Sequence, residues 1–147
     1  MAVSRRRTLQ TVARFAFVGV AWVLVAGLVV QVFLAGLGVF ESLDRFVTHR
    51  YLGYTLELLP IVMVVVGLAG GVGRRSVGLA ALIFGLFLIQ SVLVGMRTAL
   101  PMVAALHPVN GFLILLLSIS VARGAAPERD KPDPVRVKPA RQREGVR

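Results

Sequence analysis

The sequence predicts an all-α fold, an antiparallel four-helix transmembrane bundle built from two tandem helix hairpins, on three observations. The 147-residue chain is 56% apolar, too much for an ordinary soluble domain of this length. The apolar residues fall into four blocks, at 13–40, 46–70, 77–96 and 102–122. Each block approaches or exceeds the roughly 20 residues that cross ~30 Å of hydrocarbon. All of the 17 Lys and Arg except Arg45, Arg50 and Arg97 lie in the N-terminal arm, the second loop or the C-terminal tail. With four crossings, that is a positive-inside pattern, which predicts a multi-pass protein of the cell membrane with both termini cytoplasmic.

The expected organisation is a basic cytoplasmic arm over residues 1–12, a transmembrane domain over 13–123 and a disordered basic tail over 124–147. The net charge of +10 is read as a topology and lipid-headgroup signal, and a nucleic-acid partner is not expected. No cysteine is present, which removes disulfides, thiolate catalysis and Cys-ligated metal or iron–sulfur chemistry.

The first span runs to about Phe40. Ser4-Arg-Arg-Arg-Thr-Leu before it has the outline of a twin-arginine signal, but the block that follows is too long and apolar for a cleaved one. Glu41 to Asp44 form a short loop, with Ser42 expected as N-cap of a second span that begins as early as Leu43. Gly70-Gly-Val-Gly73-Arg-Arg-Ser76 reads as a tight turn and not a phosphate loop, since no strand precedes it and the spacing is wrong. Gly67-x-x-x-Gly71 leaves open close helix packing or a homodimer. The third span ends at Gly95-Met-Arg97, and Pro101 suits the first turn of the fourth. Pro108 should loosen that span and free a carbonyl one turn earlier.

The two halves repeat. Gln31-x-x-Leu34-x-Gly36 is followed by His49-x-x-x-Gly53, and Gln90-x-x-Leu93-x-Gly95 by His107-x-x-x-Gly111, with an offset of 59 residues for the Gln and 58 for the His. These are the chain's only two histidines. In an up-down bundle the second and fourth spans are diagonal, and both histidines lie toward the same outer edge. A diagonal of roughly 11–14 Å suits two imidazoles bonding opposite faces of one flat macrocycle. The glycine one turn deeper than each His would let a porphyrin edge lie against the backbone. Arg50, and Arg97 with it, would then meet heme propionates or else snorkel to headgroups.

Gln31, Glu57 and Gln90 fall roughly 10–14 Å deep at about 1.5 Å per residue, which reads as an inter-helix hydrogen-bond layer. Glu57 also stands as a hydrogen-bond donor to a glutamine, a proton carrier, or a group facing a quinone or water-filled pocket. A zinc site is a poor competitor, because two His supply half a tetrahedron and Glu57 lies about 12 Å along the helix from His49 at about 1.5 Å per residue.

At His49-Arg-Tyr-Leu-Gly53, Gln90-x-x-Leu-x-Gly95 and His107, the chain resembles one four-helix half of the heme A synthase family over residues 10–123. That family has eight helices in two similar halves, with histidine pairs on the outer side. The resemblance implies that His49 and His107 are axial ligands of a b-type heme. Phe46 stands where the synthase's substrate half carries a glutamate, and the loop cysteines of many members are missing. The resemblance therefore implies a cofactor-holding half and not a catalytic one. The chain also resembles a family of small four-helix membrane proteins with His-Pro-Val-Asn-Gly at the start of the last helix, here His107 to Gly111.

The functional expectation is a small heme b membrane protein for electron transfer or heme handling, with the lipid bilayer as its environment and a quinone or redox protein as partner. The alternative is a cofactor-free accessory membrane subunit whose His and Gln only pack and hydrogen-bond. A proton-coupled transporter is disfavoured, since Glu57 is the lone intramembrane acid and no broken-helix pair frames a midplane site.

Overall fold

The computed structural model describes residues 2–125. Apart from Gly124 and Ala125, the expected disordered tail lies outside the described residues. Among the described residues, four α-helical spans are long and apolar enough to cross a membrane, as the hydropathy blocks predict. They are α1 (Ala2–Phe40), α2 (Arg45–Ala69), α3 (Arg74–Gly95) and a fourth made of α4 (Pro101–Ala104) and α5 (Leu106–Gly124). Described residues of the basic arm continue α1 as helix, so that at about 1.5 Å per residue α1 far exceeds the ~30 Å of hydrocarbon. Val23, Phe33, Leu58, Val65, Leu88 and Leu116 are all exposed on the outside of the bundle, an apolar surface compatible with a lipid environment.

Helix α1 packs on α2 and α5, and α3 packs on the same two, so α2 faces α5 across a diagonal. The core repeats with the offsets of the sequence motif. Ala21, Leu24 and Leu28 of α1 are buried, as are Ala80, Ile83 and Phe87 of α3, which lie 59 residues later. Leu56 and Met63 of α2 are buried, as are Ile114 and Val121 of α5, 58 residues later. Even the departures from plain apolar packing correspond. Pro60 and Ser118 are both buried at that offset. Pro60 withholds the N–H that Leu56 carbonyl would accept, while Ser118 Oγ donates to the equivalent Ile114 carbonyl at 2.8 Å. The tandem repeat therefore extends through much of the core. It gives the bundle an approximate two-fold axis along its length.

The turns follow from local chemistry. Between α2 and α3, Gly71 adopts φ +61°, the left-handed conformation glycine takes without a Cβ clash. Val72 N–H then reaches Gly67 carbonyl at 2.9 Å and Gly71 N–H reaches Leu68 carbonyl at 3.2 Å, a Schellman closure of α2. Gly67 is buried in the core, so the Gly67-x-x-x-Gly71 pattern serves close packing within the chain. Gly71 lies in the turn, and the pattern forms no outward dimer face.

Arg14 of α1 donates from Nε to Gly70 carbonyl at 3.0 Å and from Nη2 to Gly71 carbonyl at 3.3 Å, placing a cation at the negative end of α2. Arg14→Ala should lower stability by about 1 kcal/mol, read as the thermal midpoint in detergent, with Arg14→Lys recovering part of it.

At the opposite end, Ser42 does not cap α2. The N-cap is Asp44, and Ser42 Oγ instead accepts Asp44 N–H at 3.3 Å within the loop. An Arg45–Glu41 ion pair closes that loop. The fourth span breaks at Ala105, next to Ala104, whose carbonyl the missing N–H of Pro108 leaves unpaired. That places His107 one residue inside the new helix α5.

Candidate functional site

The buried core is concentrated toward the end of the bundle that carries the chain termini. The distal half holds a cavity of about 920 Å³, lined by both repeat motifs: Gln31, His49 and Gly53, and Gln90, His107 and Gly111. The diagonal placement brings the two imidazoles together, with ring centres 6.3 Å apart and planes inclined at 61°.

Each ring is held by the glutamine of its own repeat. His49 Nδ1 lies 3.1 Å from Gln31 backbone carbonyl, and His107 Nδ1 lies 3.4 Å from Gln90 backbone carbonyl. A carbonyl only accepts, so Nδ1 carries a proton in both rings, and in the neutral ring Nε2 carries the lone pair. Metal-bound histidines are commonly oriented in this way, through the nitrogen that is not the ligand. The contact to each Nδ1 comes from a backbone carbonyl, and of the two glutamine side chains only that of Gln90 reaches a histidine. Gln31, Glu57 and Gln90 form no hydrogen bonds with one another among the described residues. The expected three-member layer is replaced by two separate Gln–His units.

The glycines also take a role the sequence reading did not foresee. A Cβ at Gly53 would stand 2.8 Å from Gln31 Nε2, and one at Gly111 would stand 3.3 Å from Gln90 Nε2. Each glycine makes room for a carboxamide from the neighbouring helix, in the space expected for a porphyrin edge. Both still border the cavity.

The halves diverge at one position. Asn110 Nδ2 donates to Gln90 Oε1 at 2.6 Å and to Leu86 carbonyl at 2.9 Å. Gln90 Nε2 then lies 3.3 Å from His107 Nε2, donating to its lone pair. The counterpart of Asn110 in the first half, 58 residues earlier, is Leu52. Gln31 Oε1 is accordingly buried with no hydrogen-bond partner, a situation that costs about 1–3 kcal/mol. Sequence reasoning quoted Asn110 only inside His-Pro-Val-Asn-Gly and gave it no role. The available signal was an amide three residues after His107 with no equivalent in the other half.

Phe46 sets its edge against His49 at 6.1 Å, nearly perpendicular. It fits there because Gly38 of α1 leaves room, a Cβ at Gly38 lying 2.7 Å from the Phe46 ring. Glu57 borders the cavity deeper in and forms no ion pair among the described residues. Arg50 is exposed at the cavity rim, 5.8 Å from the Tyr51 ring centre, and Arg97 borders the same space. No group of three or more His, Cys, Asp or Glu gathers among the described residues, so a conventional multi-carboxylate or zinc centre finds no support there.

Fold and site together define a small membrane-type four-helix protein with a paired-histidine cavity in one half of the bundle. Residues 31–99 match a family of unknown function, DUF6220. The matched stretch carries Gln31, His49, Gly53, Glu57 and Gln90, and stops short of His107, Asn110 and Gly111. No curated protein and no solved structure matches the chain.

Proposed function

We propose that this is a multi-pass membrane protein that holds one b-type heme between His49 and His107. The observation that carries the reading is the histidine pair itself, with ring centres 6.3 Å apart and both residues lining one cavity. Two imidazoles bound opposite each other at about 2.0 Å from one metal have ring centres roughly 6 Å apart. The cavity of about 920 Å³ lies within the range of roughly 300–1,000 Å³ typical of ligand sites. The resemblance to half of the heme A synthase family points the same way, as an analogy of site and topology.

A bound heme would supply one-electron carriage at a potential tuned by its two imidazoles. The chain's own residues do the rest. The Gln31 and Gln90 carbonyls fix the ring orientations and keep Nε2 as the ligand atom. Gln90 must release His107 Nε2 for that ring to ligate. Arg50 and Arg97, which border the cavity, would offer charge-assisted partners to carboxylates, and Gly53 and Gly111 would leave room beside the Gln31 and Gln90 carboxamides. The positive-inside pattern puts the termini in the cytoplasm and the site on the outer side of the cell membrane. That location suits electron transfer between a membrane donor such as a quinol and an outer acceptor, or heme handling.

The cofactor-free accessory reading draws on one specific observation: Asn110, Gln90 and His107 satisfy one another without any ligand. One experiment decides between the two. The protein is expressed with heme supply and purified in detergent, and dithionite-reduced minus oxidised spectra are recorded. Sharp low-spin bands, lost when His49 and His107 are both replaced by alanine, are expected. A colourless, folded wild-type protein would sink the heme reading and leave the accessory one.

A further inference from the structure

The two histidines sit in unequal surroundings. His107 Nε2 is engaged by the Gln90 carboxamide, and that carboxamide is pinned by Asn110, which is itself anchored on the Leu86 carbonyl. To act as a ligand, His107 must give up a hydrogen bond that three residues cooperate to keep. Nothing similar restrains His49. Its Nδ1 is tied to the Gln31 carbonyl, Leu52 stands where the second half has Asn110, and Gln31 Oε1 is buried without a partner. The supporting backbone differs in the same sense. His49 lies within the unbroken helix α2 against the edge of Phe46, whereas His107 lies beside the break between α4 and α5, followed at once by Pro108.

We propose that His49 is the resident ligand of the site and His107 a latched one, whose ligation competes with its hydrogen bond to the Asn110-pinned Gln90 carboxamide, so that the position opposite His49 is exchangeable. This rests on the heme reading above and deepens it. The exchangeable position would take a small uncharged σ-donor such as a diatomic gas. The Gln90 amide N–H, already aimed at the lone pair it now caps, would face that ligand as a hydrogen-bond donor.

The resting network and the loaded site are tested separately. In the apo-protein, ¹⁵N spectra of labelled histidine should show a hydrogen-bonded Nε2 on His107 and a free one on His49. Asn110→Leu should move only the His107 signal. Two equivalent Nε2 signals, or no response to Asn110→Leu, would overturn the latch even if no heme is ever bound.

In heme-loaded protein, His107→Ala should keep its heme in a five-coordinate form, whereas His49→Ala should weaken heme binding by at least about tenfold. Carbon monoxide should bind the reduced protein fastest in His107→Ala, more slowly in the wild type, and slowest in Asn110→Leu, where the freed His107 competes. Equal heme loss from the two alanine variants, or one carbon monoxide rate across all three proteins, would refute the asymmetry while leaving heme binding intact. A wild type that takes up no heme would instead defeat the reading on which the exchangeable position rests.

Discussion

Leucine at Gly53 and at Gly111 should expel a bound cofactor while leaving both histidines in place. Each glycine borders the cavity, and the nearest atom to an added Cβ is the flexible end of a glutamine, Gln31 Nε2 at 2.8 Å or Gln90 Nε2 at 3.3 Å. The Gln31 carboxamide, which has no partner on Oε1, can swing aside for a Cβ at Gly53, and the pinned Gln90 carboxamide need give only a few tenths of an ångström for one at Gly111. The remaining leucine carbons then have only the cavity to enter. Overpacking of this kind costs about 1–3 kcal/mol, here charged mainly to the loaded state. Converted to affinity, that is roughly a ten- to hundredfold loss of heme. The heme-to-protein ratio across a heme titration reads it directly. Gly85→Leu is the control, since nothing lies within 4 Å of a Cβ there and Gly85 does not border the cavity. Full heme occupancy in the Gly53 and Gly111 variants would mean that the cofactor, if bound, lies elsewhere.

Gly67→Leu should be the most damaging single change to the bundle itself. A Cβ at Gly67 would stand 3.0 Å from Phe17 and from Val77, so α2 approaches α1 and α3 at this point with no space for a side chain. Phe17 is fully buried and cannot turn outward to make room. We expect a loss of about 1–3 kcal/mol or more, seen as a lower thermal midpoint in detergent. Gly78→Ala in α3 meets nothing within 4 Å and should instead be neutral, or stabilising by up to about 1 kcal/mol through helix propensity. If the two variants melt together, the close approach of α2 to its neighbours is wrong.

Much of this architecture can be read along the chain. The four spans follow from block length and apolarity, and the boundaries fall close to expectation: Phe40, Ala69, Gly95 and Pro101. Gly71 and Pro108 mark the turn and the break because each imposes a backbone constraint whatever surrounds it. The repeat was visible from Gln and His alone, and the structure extends it to buried pairs such as Leu28 with Phe87 and Pro60 with Ser118. Those pairs share a position but not a residue type, so letter matching could not reveal them. Ser42 was misread for a related reason. A serine before an apolar run signals a cap, yet its hydroxyl found the nearer Asp44 N–H inside the loop.

The histidine pair was partly legible. Helix count and span order place His49 and His107 on diagonal helices toward one end, and the 6.3 Å between ring centres agrees with that placement. The partners of those rings were not legible. Nothing in the spacing says that Gln31 and Gln90 act through their backbone carbonyls, or that Gly53 and Gly111 shelter the carboxamides.

By itself, the sequence determined the number of spans, their order, the repeat and the residues able to bind a metal, because hydropathy and chemical type are local properties of the chain. Only the tertiary structure decided how those residues are used. A hydrogen bond between neighbouring helices depends on their relative rotation and approach, and these are set by core packing at residues such as Phe17, Gly67, Ile83 and Ile114. Within that packing, Asn110 in the second half and Leu52 in the first leave His107 Nε2 engaged by the Gln90 carboxamide and Gln31 Oε1 without a partner.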